Sequence, residues 1–134
     1  MDEEDVPPYG SELRALRGWG SYDPVVGHEG IGTIVKLGPD VEANLHGRKA
    51  GVKWLYSACG ACAVCTRGHA SNCPQQLNAG KRRPGTLQRY VVADARYLTF
   101  ILDGVPDEEA APLLCAELTM MGAVWKLEDV VERG

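Results

Sequence analysis

The segment Ser57-Ala58-Cys59-Gly60-Ala61-Cys62-Ala63-Val64-Cys65-Thr66-Arg67-Gly68-His69-Ala70-Ser71-Asn72-Cys73 holds four of the chain's five cysteines, spaced Cys-x2-Cys-x2-Cys-x7-Cys. Four thiolates from one short, glycine-containing loop can converge on a single ion. Zinc closes such structural sites tetrahedrally, with sulfur at about 2.3 Å. The spacing therefore predicts a structural zinc held by Cys59, Cys62, Cys65 and Cys73 in a lobe over 57–75. Gly60 and Gly68 free the backbone to curl, and Arg67 or backbone amides are the candidates to offset the thiolate charge. Two other readings stand beside this one. The first spacings and Cys73-Pro74 match a ferredoxin iron–sulfur run, but that run closes with three intervening residues where this one has seven. The plain alternative is four free or oxidised thiols in a surface loop.

Working outward from the lobe, Lys49-Ala50-Gly51-Val52-Lys53-Trp54-Leu55 precedes it and Leu87-Gln88-Arg89-Tyr90-Val91-Val92 follows it, both reading as short strands bounded by turn signals. Gly27 to Val41 reads as a strand rich in β-branched residues that ends in the Gly38-Pro39 turn, and Tyr97 to Leu102 as another strand. Pro106 to Ala111 places acids on the first turn of a helix, which Pro112 is expected to break. A second helix follows, with Leu118, Met120, Met121, Val124 and Trp125 at helical spacing through Leu127. Short strands with irregular links imply a mainly β fold with short helices, a small barrel or sandwich.

The chain has 134 residues, 45% apolar and 24% charged, close to an ordinary globular domain of its size. Net charge is −4 and the only basic run is Lys81-Arg82-Arg83, so no footprint for nucleic acid is present. Apolar stretches stay far below the roughly 20 residues that cross a bilayer, and the acidic start is unlike a signal peptide. These features, with reduced thiols, predict a cytoplasmic protein with no membrane partner. Residues 1–10 read as a disordered acidic tail and 11–134 as the domain.

Taken together, Gly27-His28-Glu29-Gly30, Gly51-Val52-Lys53-Trp54-Leu55, the four-cysteine lobe, Gly85-Thr86-Leu87-Gln88-Arg89-Tyr90 and Ala110-Ala111-Pro112-Leu113-Leu114-Cys115-Ala116 resemble the zinc-containing alcohol dehydrogenases of the medium-chain dehydrogenase/reductase superfamily. The likeness is greatest to the fungal and bacterial tetrameric kind and runs over residues 11–124 in linear order. The resemblance implies a GroES-like, partly open β-barrel with a structural zinc in the lobe. It also implies NAD(P)-linked oxidation of a small alcohol to an aldehyde or ketone, the alcohol held as an alkoxide on a second, catalytic zinc. By the same resemblance His28 is the histidine ligand of that zinc, Glu29 the carboxylate beside it and Cys115 a cysteine ligand. Ser11, followed by Glu12, is the hydroxyl that relays the proton. Read without the resemblance, His28 and Glu29 form a surface turn pair, Cys115 a buried thiol, and Ser11 a helix cap.

The pattern also breaks. Tyr9 stands where the family has its first catalytic cysteine, and a phenol is a poor ligand at neutral pH. Upstream barrel strands are missing, which predicts an open edge. No Gly-x-Gly-x-x-Gly turn occurs, so the Rossmann domain that seats NAD or NADP in full-length relatives is expected to be absent. The expectation is a catalytic-domain portion, shortened at both ends and inactive alone. The alternatives are a zinc-stabilised binding module that joins intact relatives or other proteins as a homo- or hetero-oligomer, and a degenerate gene product.

Overall fold

The computed structural model describes residues 11–133, with side chains placed from 12 to 127; the expected acidic tail and Tyr9 lie outside the described residues. The element order is α1 (Ser11–Leu16), β1 (Gly30–Thr33), β2 (Lys49–Val52), β3 (Leu55–Ser57), β4 (Leu77–Asn78), β5 (Thr99–Phe100), α2 (Asp107–Leu113) and α3 (Ala116–Arg133). Two small antiparallel sheets result, one ordered β1-β2-β5 and the other β3-β4. This is the expected β framework, with α2 and α3 late in the chain as expected and the short α1 ahead of every strand.

Strand β2 is central because its side chains are small. Ala50, Gly51 and Val52 are buried between β1, which pairs Gly30 with Val52 and Thr33 with Lys49, and β5, which pairs Phe100 with Ala50. Ala110 of α2 and Leu114 just beyond it complete the core on this side. Lys49 Nζ reaches Asp107 Oδ1 at 2.6 Å, which ties the first turn of α2 to β2. The second sheet carries the lobe: Leu55 pairs with Asn78 and Ser57 with Leu77, with an irregularity between Leu55 and Ser57. Ala58, Cys73 and Ala79 are buried there.

None of the four expected strands keeps its expected length: Lys49–Leu55 is interrupted at Lys53-Trp54, giving β2 and the start of β3. Gly27–Val41 contributes only β1, after which Ile34 bonds to Arg48 and the chain turns back. Tyr97–Leu102 contributes only β5, preceded by a 3-10 turn over Ala95–Tyr97. Leu87–Val92 forms no strand. Its first amide bonds to Val26 O, but Leu87, Tyr90 and Val92 are 68%, 71% and 83% exposed, with no strand among the described residues to extend the ladder.

Pro112 sits inside α2 rather than ending it. Proline removes one amide donor, a loss small enough to tolerate in the last turn. The amides of Leu114 and Cys115 then bond to Ala111 O and Pro112 O, and α3 leaves at an angle of 50° to α2. The second helix appears where periodicity placed it, but Leu118, Met120, Met121, Val124, Trp125 and Leu127 are exposed instead of forming core. No single helix among the described residues is long and apolar enough to cross a membrane.

Candidate metal centre

The lobe folds around its cysteines with two 3-10 turns, Cys65–Arg67 and Ala70–Asn72. Gly60 and Gly68 adopt φ of 75° and 83°, which reverses the chain after Cys59 and after the first 3-10 turn at little steric cost. The sulfurs face one another: Cys59 to Cys73 is 3.6 Å, Cys59 to Cys65 is 3.8 Å and Cys62 to Cys73 is 3.9 Å. All four lie within 4.8 Å of one another. A tetrahedron with sulfur at about 2.3 Å from its centre has edges of about 3.8 Å. The cage therefore fits zinc, while the separations are far beyond a disulfide bond of about 2.05 Å, and all five cysteines are free.

Backbone amides point into the cage. Cys62 N lies 3.4 Å from Cys59 Sγ and Gln75 N lies 3.4 Å from Cys73 Sγ. Arg67, the side chain expected to offset the charge, is exposed on the outer turn. Without a cation the thiols divide. The amides of Ala61 and Cys62 pull Cys59 down to about 6, and the amide of Cys65 lowers Cys62. Burial pushes Cys65 up to about 12. Four mutually repelling thiolates in so small a volume need a positive centre before all can ionise.

A second cluster forms around His28, which is buried between Gly27 and the ring of Trp54. The two rings meet edge to face, 5.2 Å apart at 75°. Glu12 Oε1, on α1, comes within 3.5 Å of His28 Nδ1. Close backbone packing holds this corner: Gly85 N bonds to Val25 O at 2.6 Å and Thr86 N to Gly27 O at 3.0 Å. A small cavity opens beside His28, lined by Glu12, Tyr22, Val26, Trp54 and Gly80. Cys115 lies half-buried between α2 and α3, and burial, then the charges of Glu29 and Glu12, push its thiol up. Glu29 and Glu12 thus lie within electrostatic reach of Cys115. His28, Glu29 and Cys115 do not gather into a donor set, and among the described residues only the lobe sulfurs do. The side chain of Ser11 lies outside the described residues. Tyr22 at this corner carried no sequence signal, and Trp54, though part of a motif that carries the resemblance, gave no sign of its contact with His28.

Residues 8–103 match the family described as the alcohol dehydrogenase GroES-like domain. The chain belongs to that family. It is 48% identical over 102 residues to Alcohol dehydrogenase 2 of Emericella nidulans, covering 75% of this chain and 28% of the relative. It is 38% identical over 118 residues to an alcohol dehydrogenase of Schizosaccharomyces pombe, covering 85% of this chain and 34% of that one. Among solved structures, the D-arabinose dehydrogenase of Sulfolobus solfataricus superposes with TM-score 0.75 at 27% identity, over 96% of this chain and 40% of its own. A short chain alcohol dehydrogenase of E. coli CFT073, complexed with NADH, superposes with TM-score 0.71 at 30% identity, over 78% of this chain and 31% of its own. The chain thus spans about a third of the length of these relatives. The match covers the two sheets and the four-cysteine lobe, which makes the lobe part of an alcohol dehydrogenase-type domain and disfavours a random thiol loop.

Proposed function

We propose that this chain is the GroES-like catalytic-domain portion of a zinc-dependent alcohol dehydrogenase, whose activity is NAD(P)-linked oxidation of a small alcohol to an aldehyde or ketone. The observation that carries the reading is the four-sulfur cage at tetrahedral spacing inside a domain of this family. Cys59, Cys62, Cys65 and Cys73 hold the structural zinc, which neutralises their charge and fixes the lobe. The free thiols suit a reducing cytoplasm.

His28, Glu29, Cys115 and Ser11 mark the family's catalytic corner. There Trp54 meets the His28 ring edge to face and Glu12 Oε1 lies 3.5 Å from its Nδ1, with a small cavity beside it. The dispersed donors and Tyr9 favour loading of the lobe alone. The 134 residues hold no Gly-x-Gly-x-x-Gly turn, so a hydride acceptor has no family-type seat within them. Turnover then requires a cofactor-binding unit from outside these 134 residues.

Elemental analysis of protein purified under reducing conditions tests this. About one zinc per chain supports the reading, none overturns the zinc lobe, and two would restore a second ion at His28 and Cys115. Steady NAD reduction with a primary alcohol by these 134 residues alone would overturn the need for a cofactor seat outside them.

A second reading is a zinc-stabilised binding module. It is favoured by the exposed apolar side chains of α3 and by exposed Leu87, Tyr90 and Val92. Light scattering after size exclusion tests it: a stable dimer supports it and a well-folded monomer counts against it.

A further inference from the structure

We propose that Tyr97 is a positioning residue for the lobe, setting the first of its four thiolates through the carbonyl before it. The inference rests on the zinc reading above. Tyr97 Oη donates to Ala58 O at 3.3 Å, and Ala58 is buried immediately before Cys59. That bond joins two segments 39 positions apart in sequence. Tyr97 stands at the end of the 3-10 turn Ala95–Tyr97, and β5 begins two residues later, paired to β2.

The turn that presents Tyr97 is itself braced. Asp94 Oδ1 accepts from the Arg96 amide at 3.1 Å and from Arg96 Nε at 3.0 Å, and Asp94 Oδ2 accepts from Nη2 at 2.6 Å. A carboxylate gripping a guanidinium through two parallel bonds is a rigid arrangement. It places Arg96 Nη1 3.7 Å from the point where a Cβ on Gly60 would stand, just past Cys59. The segment Asp94–Tyr97 therefore bonds the carbonyl just before Cys59 and lies over the side-chain face of Gly60 just after it. Lys53 Nζ donates to Thr99 Oγ1 at 3.0 Å and fixes the start of β5 to the link between β2 and β3. The main sheet thus reaches the cysteine cage along the covalent run from Thr99 back to Tyr97 and the Tyr97–Ala58 hydrogen bond, one residue before Cys59.

A metal's outer partners set ligand orientation and hence affinity. The test uses the full chain loaded with zinc, as wild type, Tyr97→Phe, Asp94→Asn and, away from the lobe, Ala110→Gly. Zinc affinity is read by competition with a chromophoric chelator, and cobalt replaces zinc so that the sulfur-to-cobalt absorption reports thiolate geometry. Tyr97→Phe is expected to weaken zinc roughly fivefold to tenfold and to shift the cobalt band. Asp94→Asn is expected to move both in the same direction by less, which keeps the proposal testable should Tyr97→Phe fail to fold. Ala110→Gly is expected to lower the melting temperature while leaving zinc affinity within about twofold. Wild-type affinity and spectrum in both lobe variants overturn the positioning role and leave the zinc reading intact. Equal weakening by Ala110→Gly overturns it also, because global stability would then be the cause. A wild type that binds neither zinc nor cobalt overturns the zinc reading itself.

Discussion

The side chain of Leu114 closes over Gly51, its two δ-carbons 2.6 and 2.7 Å from the point where a Cβ on Gly51 would stand. The sheet and the end of α2 are fitted to each other at this one place. Gly51→Ala is therefore expected to cost roughly 1–3 kcal/mol by overpacking, and Leu114→Ala roughly 2–5 kcal/mol by cavity formation. The double variant should cost clearly less than the sum, since each change relieves the other. Urea unfolding of the set decides this, and strict additivity would show that the two do not meet.

A second steric limit lies at Gly85, where an added Cβ would run into the carbonyls of Val26 and Gly27. Backbone cannot move aside as a flexible side chain does. Gly85→Ala is expected to lose roughly 3 kcal/mol or more and to loosen the segment that holds His28. Gly32→Ala, in open space on β1, is the comparison and should stay within about 1 kcal/mol. Thermal melts of the pair check this, and equal melting temperatures would overturn it.

In metal-free protein at pH 7, Cys59 is expected to alkylate before Cys62 and Cys65 last, read by peptide mass after brief iodoacetamide. Cys59 at about 6 is mostly thiolate there, and Cys65 at about 12 is not. Stability follows with opposite signs. The contribution of Cys59 is full above the ordinary thiol value of 9.0 and fades as pH falls toward 6. That of Cys65 is full below 9.0 and is lost as pH rises toward 12. Zinc should protect all four, and alkylation undiminished by zinc would remove them as its ligands.

Cys115 should behave as a slow thiol at pH 8, because burial, then Glu29 and Glu12, push it up. Glu29→Gln is expected to speed its alkylation roughly twofold to fivefold, with burial still holding it below the rate of a free cysteine. Its share of stability is present below the ordinary value of 9.0 and declines as pH rises above it. No change in rate would place Glu29 too far away to be felt.

The lobe was the most legible part of the sequence, because metal geometry demands donors at short, regular spacing and Cys59, Cys62, Cys65 and Cys73 supply it. Strand lengths were less legible. A run such as Leu87 to Val92 has the composition of a strand, but a strand exists only where another backbone offers hydrogen bonds, and the pattern says nothing about that neighbour. Pro112 was read as a stop, yet in the last turn of α2 its missing donor costs little. The periodicity of α3 identified a helix and not what covers it. At the catalytic corner, the resemblance supplied His28, Glu29 and Cys115, while the contacts of Glu12 and Trp54 with His28 depend on tertiary packing that no local pattern encodes.

The short span of the cage has a consequence for the chain before it folds. Cys59 and Cys73 are only 14 positions apart. A crosslink over a loop of about 15 residues removes about 3 kcal/mol of denatured-state freedom in the chain-entropy view, and metal clips act in the same way. An ion captured early by two or three of these thiols would restrict the ensemble around 57–75 before either sheet is paired. Such an ion would hold the two ends of the lobe near the register in which Ser57 pairs with Leu77 and Leu55 with Asn78.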